Sequence, residues 1–225
     1  MTIKAVLFDL DETLFDRTGS LRPFLADQRK RYPVLQPFEE EEFISQFLLR
    51  DQRGQVSKSI VYRELLEAHS LGDTSSAAEL HQDYANNFWR FAHAFPGMSE
   101  MFEQLSRAGI RTGIVTNGET HIQMRSLLAL NLDRVIDTYL ISQSEGLRKP
   151  DPKLFRLAAE RLGVQPDECV FVGDSPISDI SGAQRVGMKG VWFPNGSTWP
   201  SDLNTSPEAE IGSLSDLVPL IMRWR

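Results

Sequence analysis

A single cysteine in 225 residues excludes a disulfide framework. Cys169 sits between Glu168 and the apolar pair Val170-Phe171, and we read it as a small buried side chain rather than a nucleophile. No segment approaches the 18 or more uninterrupted apolar residues of a membrane span. The opening Met1-Thr2-Ile3-Lys4 runs into a strand-like segment instead of a cleavable signal. A cytoplasmic protein with no membrane partner is the expectation. An excess of positive charge is also missing: 24 Lys and Arg against 31 Asp and Glu leave a net charge of −7. Duplex phosphates need clustered cations, so no nucleic-acid partner is expected. A small phosphorylated ligand stays open, because it meets only its own pocket. Repeats and low-complexity segments are absent.

What is present is ordinary globular material, 41% hydrophobic and 24% charged. The length corresponds to about one and a half domains, which suggests something inserted. Residues 3–10 form a nearly continuous apolar run, as in a parallel strand covered on both faces. Similar runs recur at 110–116, 138–142, 169–173 and 187–193, and from Gly97 on they alternate with helical patterns at 99–108, 121–130, 152–162 and 177–186. This predicts an α/β fold with a doubly wound, mostly parallel sheet. About 95 residues separate the first two strands, far more than the dozen a crossover needs. We therefore expect a core domain of residues 1–15 and 95–225 and a helical insertion, 16–94. Its segments 21–32, 37–53, 57–70 and 75–94 are separated by Pro33, Gly54 and Gly72-Asp73, giving a bundle of four helices. Glu39 to Glu42 suit a solvated first turn. Tyr84, Phe88, Phe91 and Phe95 fall on one helix face and are expected to pack.

Four segments carry chemistry. Asp9-Leu10-Asp11-Glu12-Thr13 follows the first strand, so its acids emerge at a strand's C-terminal end, where open α/β sheets form their sites. Alternation puts Asp9 and Asp11 on one side, suited to a cation or to a nucleophile and acid/base pair. Thr116-Asn117-Gly118 ends the second strand; a hydroxyl and helix-start N–H groups there make an anion cradle, though the same letters also spell a turn. Lys149, before Pro150, sits in a stiffened loop ahead of a helix. Gly173-Asp174-Ser175 ends another buried strand, and Asp179 follows in the first turn of the next helix, where dipole stabilisation is its alternative role. Carboxylates at such an end suit a hard cation such as Mg²⁺. All of these fall at the same rim of the sheet, which chance would not arrange.

The order DxDxT, Thr-Asn, Lys-Pro, GDSxxxD resembles the four signature motifs of the haloacid dehalogenase-like hydrolase superfamily, from Val6 to Asp179, with the insertion where a helical type 1 cap belongs. The resemblance implies an enzyme, a phosphoric monoester hydrolase. Asp9 would be the nucleophile that becomes an aspartyl phosphate, and Asp11 the acid and then the base. Thr116 and the Asn117 backbone would hold phosphoryl oxygens, joined by Lys149, which also stabilises the transition state. Mg²⁺ would be bound by Asp9, the Asp11 carbonyl and Asp174, with Asp179 keeping the surrounding groups in order.

Dehalogenases of the superfamily lack an acid two residues after the nucleophile, since a halide leaves without a proton, so Asp11 favours phosphate esters. Sugar-phosphate mutases keep both acids and are the alternative on the same core. A phosphate-accepting signalling switch without turnover is the alternative from another class, although its acids are adjacent and its phosphoacceptor lies on a later strand. The expected partner is a small phosphorylated metabolite. Nucleotides, flavin mononucleotide, phosphoglycolate and sugar phosphates all remain open. Monomer and homodimer are both open. Specificity is expected from the insertion, where Arg17, Arg22, Arg50, Arg53, Lys58 and Arg63 are basic.

Overall fold

The computed structural model describes residues 2–225. In chain order, β1 (Ala5–Phe8) is followed by four helices, α1 (Arg17–Arg31), α2 (Glu40–Asp51), α3 (Lys58–Ala68) and α4 (Thr74–Asn87). Then come α5 (Met98–Arg107), β2 (Arg111–Thr116), α6 (Thr120–Ala129), β3 (Thr138–Ile141), α7 (Ser142–Glu145) and α8 (Pro152–Arg161). The chain closes with β4 (Cys169–Gly173), α9 (Gly182–Gln184), β5 (Lys189–Trp192), β6 (Ala209–Glu210) and α10 (Leu217–Trp224). All strand pairs are parallel, in the order β3-β2-β1-β4-β5-β6. The two-residue β6 is a strand that periodicity does not reveal.

Alternation along β1 divides the core between two faces. Ala5 and Leu7 join Leu140, Leu154, Phe155 and Phe171 in one buried cluster. Phe8 points the other way and meets Phe102 of α5, with ring centroids 5.3 Å apart. Covering both faces is why the strands read as continuous apolar runs. Cys169 lies fully buried in the first cluster, and burial pushes its thiol up to about 12. Alkylation with iodoacetamide near pH 8 is expected to label no thiol in the native protein and one in denaturant. Comparable labelling in both would contradict this packing.

The chain divides into two compact units, one running to Phe15 and resuming at Ala94–Arg225, the other Asp16–His93. The division falls one residue before the expected boundary, because Ala94 bridges antiparallel to Phe15 and the Phe95 N–H donates to the Leu14 carbonyl at 3.0 Å. Phe95 therefore leaves the aromatic stripe and packs edge-on against Phe193. Tyr84, Phe88 and Phe91 remain in the inserted unit, all around Phe24. The last two of these lie on a 3-10 turn, Phe88–Phe91, beyond the end of α4.

Within the inserted unit α1 begins earlier than its apolar pattern suggests, because Asp16 caps it by accepting from the Gly19 N–H. Helix α2 is shorter than expected at both ends. It starts at Glu40, with Glu40 to Glu42 in its first turn. It stops at Asp51, because Gln52, Arg53 and Gly54 all take left-handed backbone angles, with φ of 47°, 55° and 88°. Two of the six basic residues are not solvated: Arg17 and Lys58 are buried on Asp51.

Candidate active site

The parallel register brings the motif residues to one rim. Asp9 lies one residue beyond the Phe8–Val172 pair and still donates its N–H to the Val172 carbonyl at 2.9 Å. Thr116 is the last residue of β2, and Asp174 follows the last residue of β4. After Asp9 the chain turns back tightly, with the Leu10 carbonyl accepting from the N–H groups of Leu14 and Phe15 at 3.0 and 2.9 Å. Glu12 takes a left-handed φ of 63° in this turn, and its buried carboxylate accepts from Asn195 Nδ2 at 2.8 Å.

At the centre, Lys149 Nζ stands 2.5 Å from Asp9 Oδ1 and 2.7 Å from Asp179 Oδ1. All three groups are buried. Burial works to lower the Lys149 ammonium, but the charges of Asp179 and Asp9 overcome it and hold it above the ordinary lysine value. Burial pushes the Asp9 carboxyl well above its usual range; Lys149 opposes this, and Asp179 and Asp174 add to it. One oxygen from each of Asp9, Asp174 and Asp179 lies within 4.8 Å of the others. Carboxylate oxygens gathered this closely are hard donors, which fits a hard divalent cation such as Mg²⁺.

The surrounding residues fix this centre. Asn117 clamps the backbone of Lys149: its Oδ1 accepts from the Lys149 N–H at 2.9 Å and its Nδ2 donates to the Lys149 carbonyl at 3.1 Å. The Lys149–Pro150 peptide bond is cis. Asp179 Oδ2 accepts from the Ser175 N–H at 2.9 Å, in a stretch, Pro176–Ser181, that is π-helical where an ordinary helix was expected. Gly173 makes room for it, since a Cβ there would lie 2.4 Å from Asp179 Oδ2. The anion cradle is narrower than expected. The Gly118 N–H donates to Ser142 Oγ at 3.0 Å and the Thr120 N–H to Gln143 Oε1 at 2.7 Å, so these two donors are taken. The Asp11 carboxylate is apart from the three clustered acids and accepts from Gln123 Nε2 at 2.9 Å. Gln123 is a site residue the sequence did not single out.

The family model for haloacid dehalogenase-like hydrolases matches residues 3–187. The chain belongs to this family. A relative, the glyceraldehyde 3-phosphate phosphatase of Pyrococcus furiosus, is 30% identical over 98% of this chain and 94% of its own length. The (S)-2-haloacid dehalogenase 4A of Burkholderia cepacia is 35% identical, over 58% of this chain and 56% of that protein. Among solved structures, an HAD phosphatase from Thermococcus onnurineus superposes with a TM-score of 0.66 at 27% identity, covering 97% of this chain and 98% of that one. These relatives include both a phosphatase and a dehalogenase.

Proposed function

We propose that this chain is a Mg²⁺-dependent phosphatase that hydrolyses a small organic phosphate monoester through an aspartyl phosphate on Asp9. The observation that carries this reading is the placement of Asp11: an acid two residues beyond the nucleophile, held by Gln123 at the rim where Lys149 pins Asp9. A dehalogenation would have no use for that proton. The Pyrococcus relative, named for a phosphate monoester and aligned over nearly the whole chain, supports the same choice.

In the first half-reaction an Asp9 oxygen attacks phosphorus in line, and the bond to the ester oxygen breaks with its electron pair. Asp11 donates its proton to that oxygen, so the alcohol leaves as a neutral molecule and Asp11 is left ionised. In the second, water attacks the phosphoryl group, Asp11 takes its proton, the phosphorus–Asp9 bond breaks, and inorganic phosphate is released. Lys149 lowers the repulsion between Asp9 and the incoming dianion and stabilises the charge on the equatorial oxygens. The Thr116 hydroxyl and Asn117 backbone hold those oxygens. Mg²⁺, held by Asp9, Asp174 and the Asp11 carbonyl, supplies further charge neutralisation when bound. Both Asp179 oxygens are already engaged, by Lys149 and the Ser175 N–H, which suits a role in keeping these groups in place. We assign substrate selection to the inserted unit, read as the cap.

Steady release of p-nitrophenol from p-nitrophenyl phosphate is expected with Mg²⁺, stopping with EDTA and resuming when Mg²⁺ is restored in excess. One equivalent of p-nitrophenol per protein and then nothing would replace the phosphatase with a phosphate-accepting switch.

A further inference from the structure

We propose that Gln123 is a positioning residue that aims both Asp11 and the Thr116 hydroxyl, so that the proton donor and the oxyanion donor are set by one side-chain amide. The proposal rests on the phosphatase reading above. Gln123 lies in the first turns of α6, is buried, and directs Nε2 to three oxygens: Asp11 Oδ2 at 2.9 Å, Thr116 Oγ1 at 2.9 Å and the Asn117 carbonyl at 3.2 Å. An ionised carboxylate and a carbonyl can only accept, so the amide nitrogen, not its oxygen, must face this group. Its two hydrogens serve the two short contacts, and the longer carbonyl contact is shared.

Each contact has a chemical consequence. Thr116 Oγ1 has one hydrogen and two lone pairs. With Gln123 donating to one lone pair, the hydroxyl hydrogen is left to donate elsewhere, as a phosphoryl oxygen requires. For Asp11, occupation of Oδ2 leaves Oδ1 as the oxygen that carries the proton, and the carboxyl no longer rotates freely on its turn. A defined proton position is worth much of the rate that a proton donor supplies.

A second feature of the fold points to the same side chain. A Cβ at Gly118 would lie 2.8 Å from both Cγ and Nε2 of Gln123. Residue 118 is therefore glycine where the amide must pass, and Gly118→Ala offers a way to displace Gln123 without removing it.

The test is Gln123→Met, which keeps the volume and loses both N–H donors, assayed on phenyl phosphate and p-nitrophenyl phosphate. The two substrates are similar in shape, but phenoxide is about as basic as tyrosinate and needs the proton, whereas p-nitrophenoxide leaves readily without it. Because kcat/KM covers only steps up to loss of the alcohol, it isolates the acid function of Asp11. We expect kcat/KM to fall about thirty-fold for phenyl phosphate and about threefold for p-nitrophenyl phosphate, less than the roughly 10²-fold or more that a proton donor itself contributes, as suits a residue that positions it. Gly118→Ala is expected to show the same bias, and serves if Gln123→Met does not fold. Equal losses on both substrates would mean that Gln123 does not aim Asp11, and no loss would remove it from the site; either overturns the proposal that one amide sets both groups. Failure of the unsubstituted enzyme to turn over either ester would overturn the phosphatase reading itself.

Discussion

Asp9→Asn is expected to reduce turnover of p-nitrophenyl phosphate on the order of 10⁴-fold or more while leaving thermal stability unchanged or raised. The loss of rate follows from removing the atom that bonds to phosphorus, since an amide oxygen is a poor nucleophile and its phosphoryl adduct would have no stable form. The effect on stability has the opposite sign because of what surrounds Asp9. Its buried carboxylate is crowded by the buried one of Asp179 and the half-buried one of Asp174, one oxygen of each lying within 4.8 Å of the others, with the ammonium of Lys149 beside Asp9. Replacing one of three crowded charges by a neutral amide relieves repulsion, and Lys149 keeps its partner Asp179 at 2.7 Å. A site built for charge that arrives with its ligands stores this kind of cost. Parallel assays and thermal melts check both halves. Retention of more than about one part in a hundred of the activity, or a melting temperature lower by several degrees, would contradict the assignment of Asp9.

The residues legible in the sequence are those whose position at a strand end already restricts their role. Asp9, Thr116 and Asp174 terminate or follow buried runs, and a parallel register brings such ends together whatever the details of packing. Gln123 could not be found this way. A glutamine in the first turns of a helix is indistinguishable in sequence from a solvated one, and only the folded chain brings Asp11 to it across 112 positions. The same holds for the Asn117 side chain, whose partner is the backbone of a residue 32 positions away. Helix ends depart from the apolar pattern where side chains decide them, as at Asp16 and Asp51, and the aromatic stripe packs as expected but not on one helix, because residue spacing does not show where α4 stops. Arg17 and Lys58 illustrate a further limit: a basic residue in a helical pattern reads as solvated unless its acidic partner is known.

That partner sets the largest expected effect on stability. Arg17→Met is expected to destabilise the inserted unit by roughly 3 kcal/mol, the lower end for breaking a buried ion pair. Arg17 meets Asp51 with two parallel bonds, Nη1 to Oδ2 at 2.7 Å and Nη2 to Oδ1 at 2.9 Å, and both side chains are sealed from water. Asp51 Oδ2 also accepts from the Gly54 N–H at 2.8 Å, so the same carboxylate holds the left-handed turn after α2. Without Arg17 the carboxylate still keeps Lys58 as a charged partner, which is why the lower end of the range applies. Burial works to raise the Asp51 carboxyl, but Arg17 and Lys58 overcome it and hold it below the usual range. A depressed value in the folded state contributes stability above the unfolded value near 3.9, lost as pH falls through the folded one. Arg17→Met should therefore flatten the acid limb of the stability profile as well as lower its plateau. Urea melts between pH 3 and 7, with amide exchange followed in α2 and α3, read both effects. A cost below about 1 kcal/mol, the range of a solvated pair, together with an unchanged acid limb, would mean that Arg17 does not hold Asp51 as its geometry indicates.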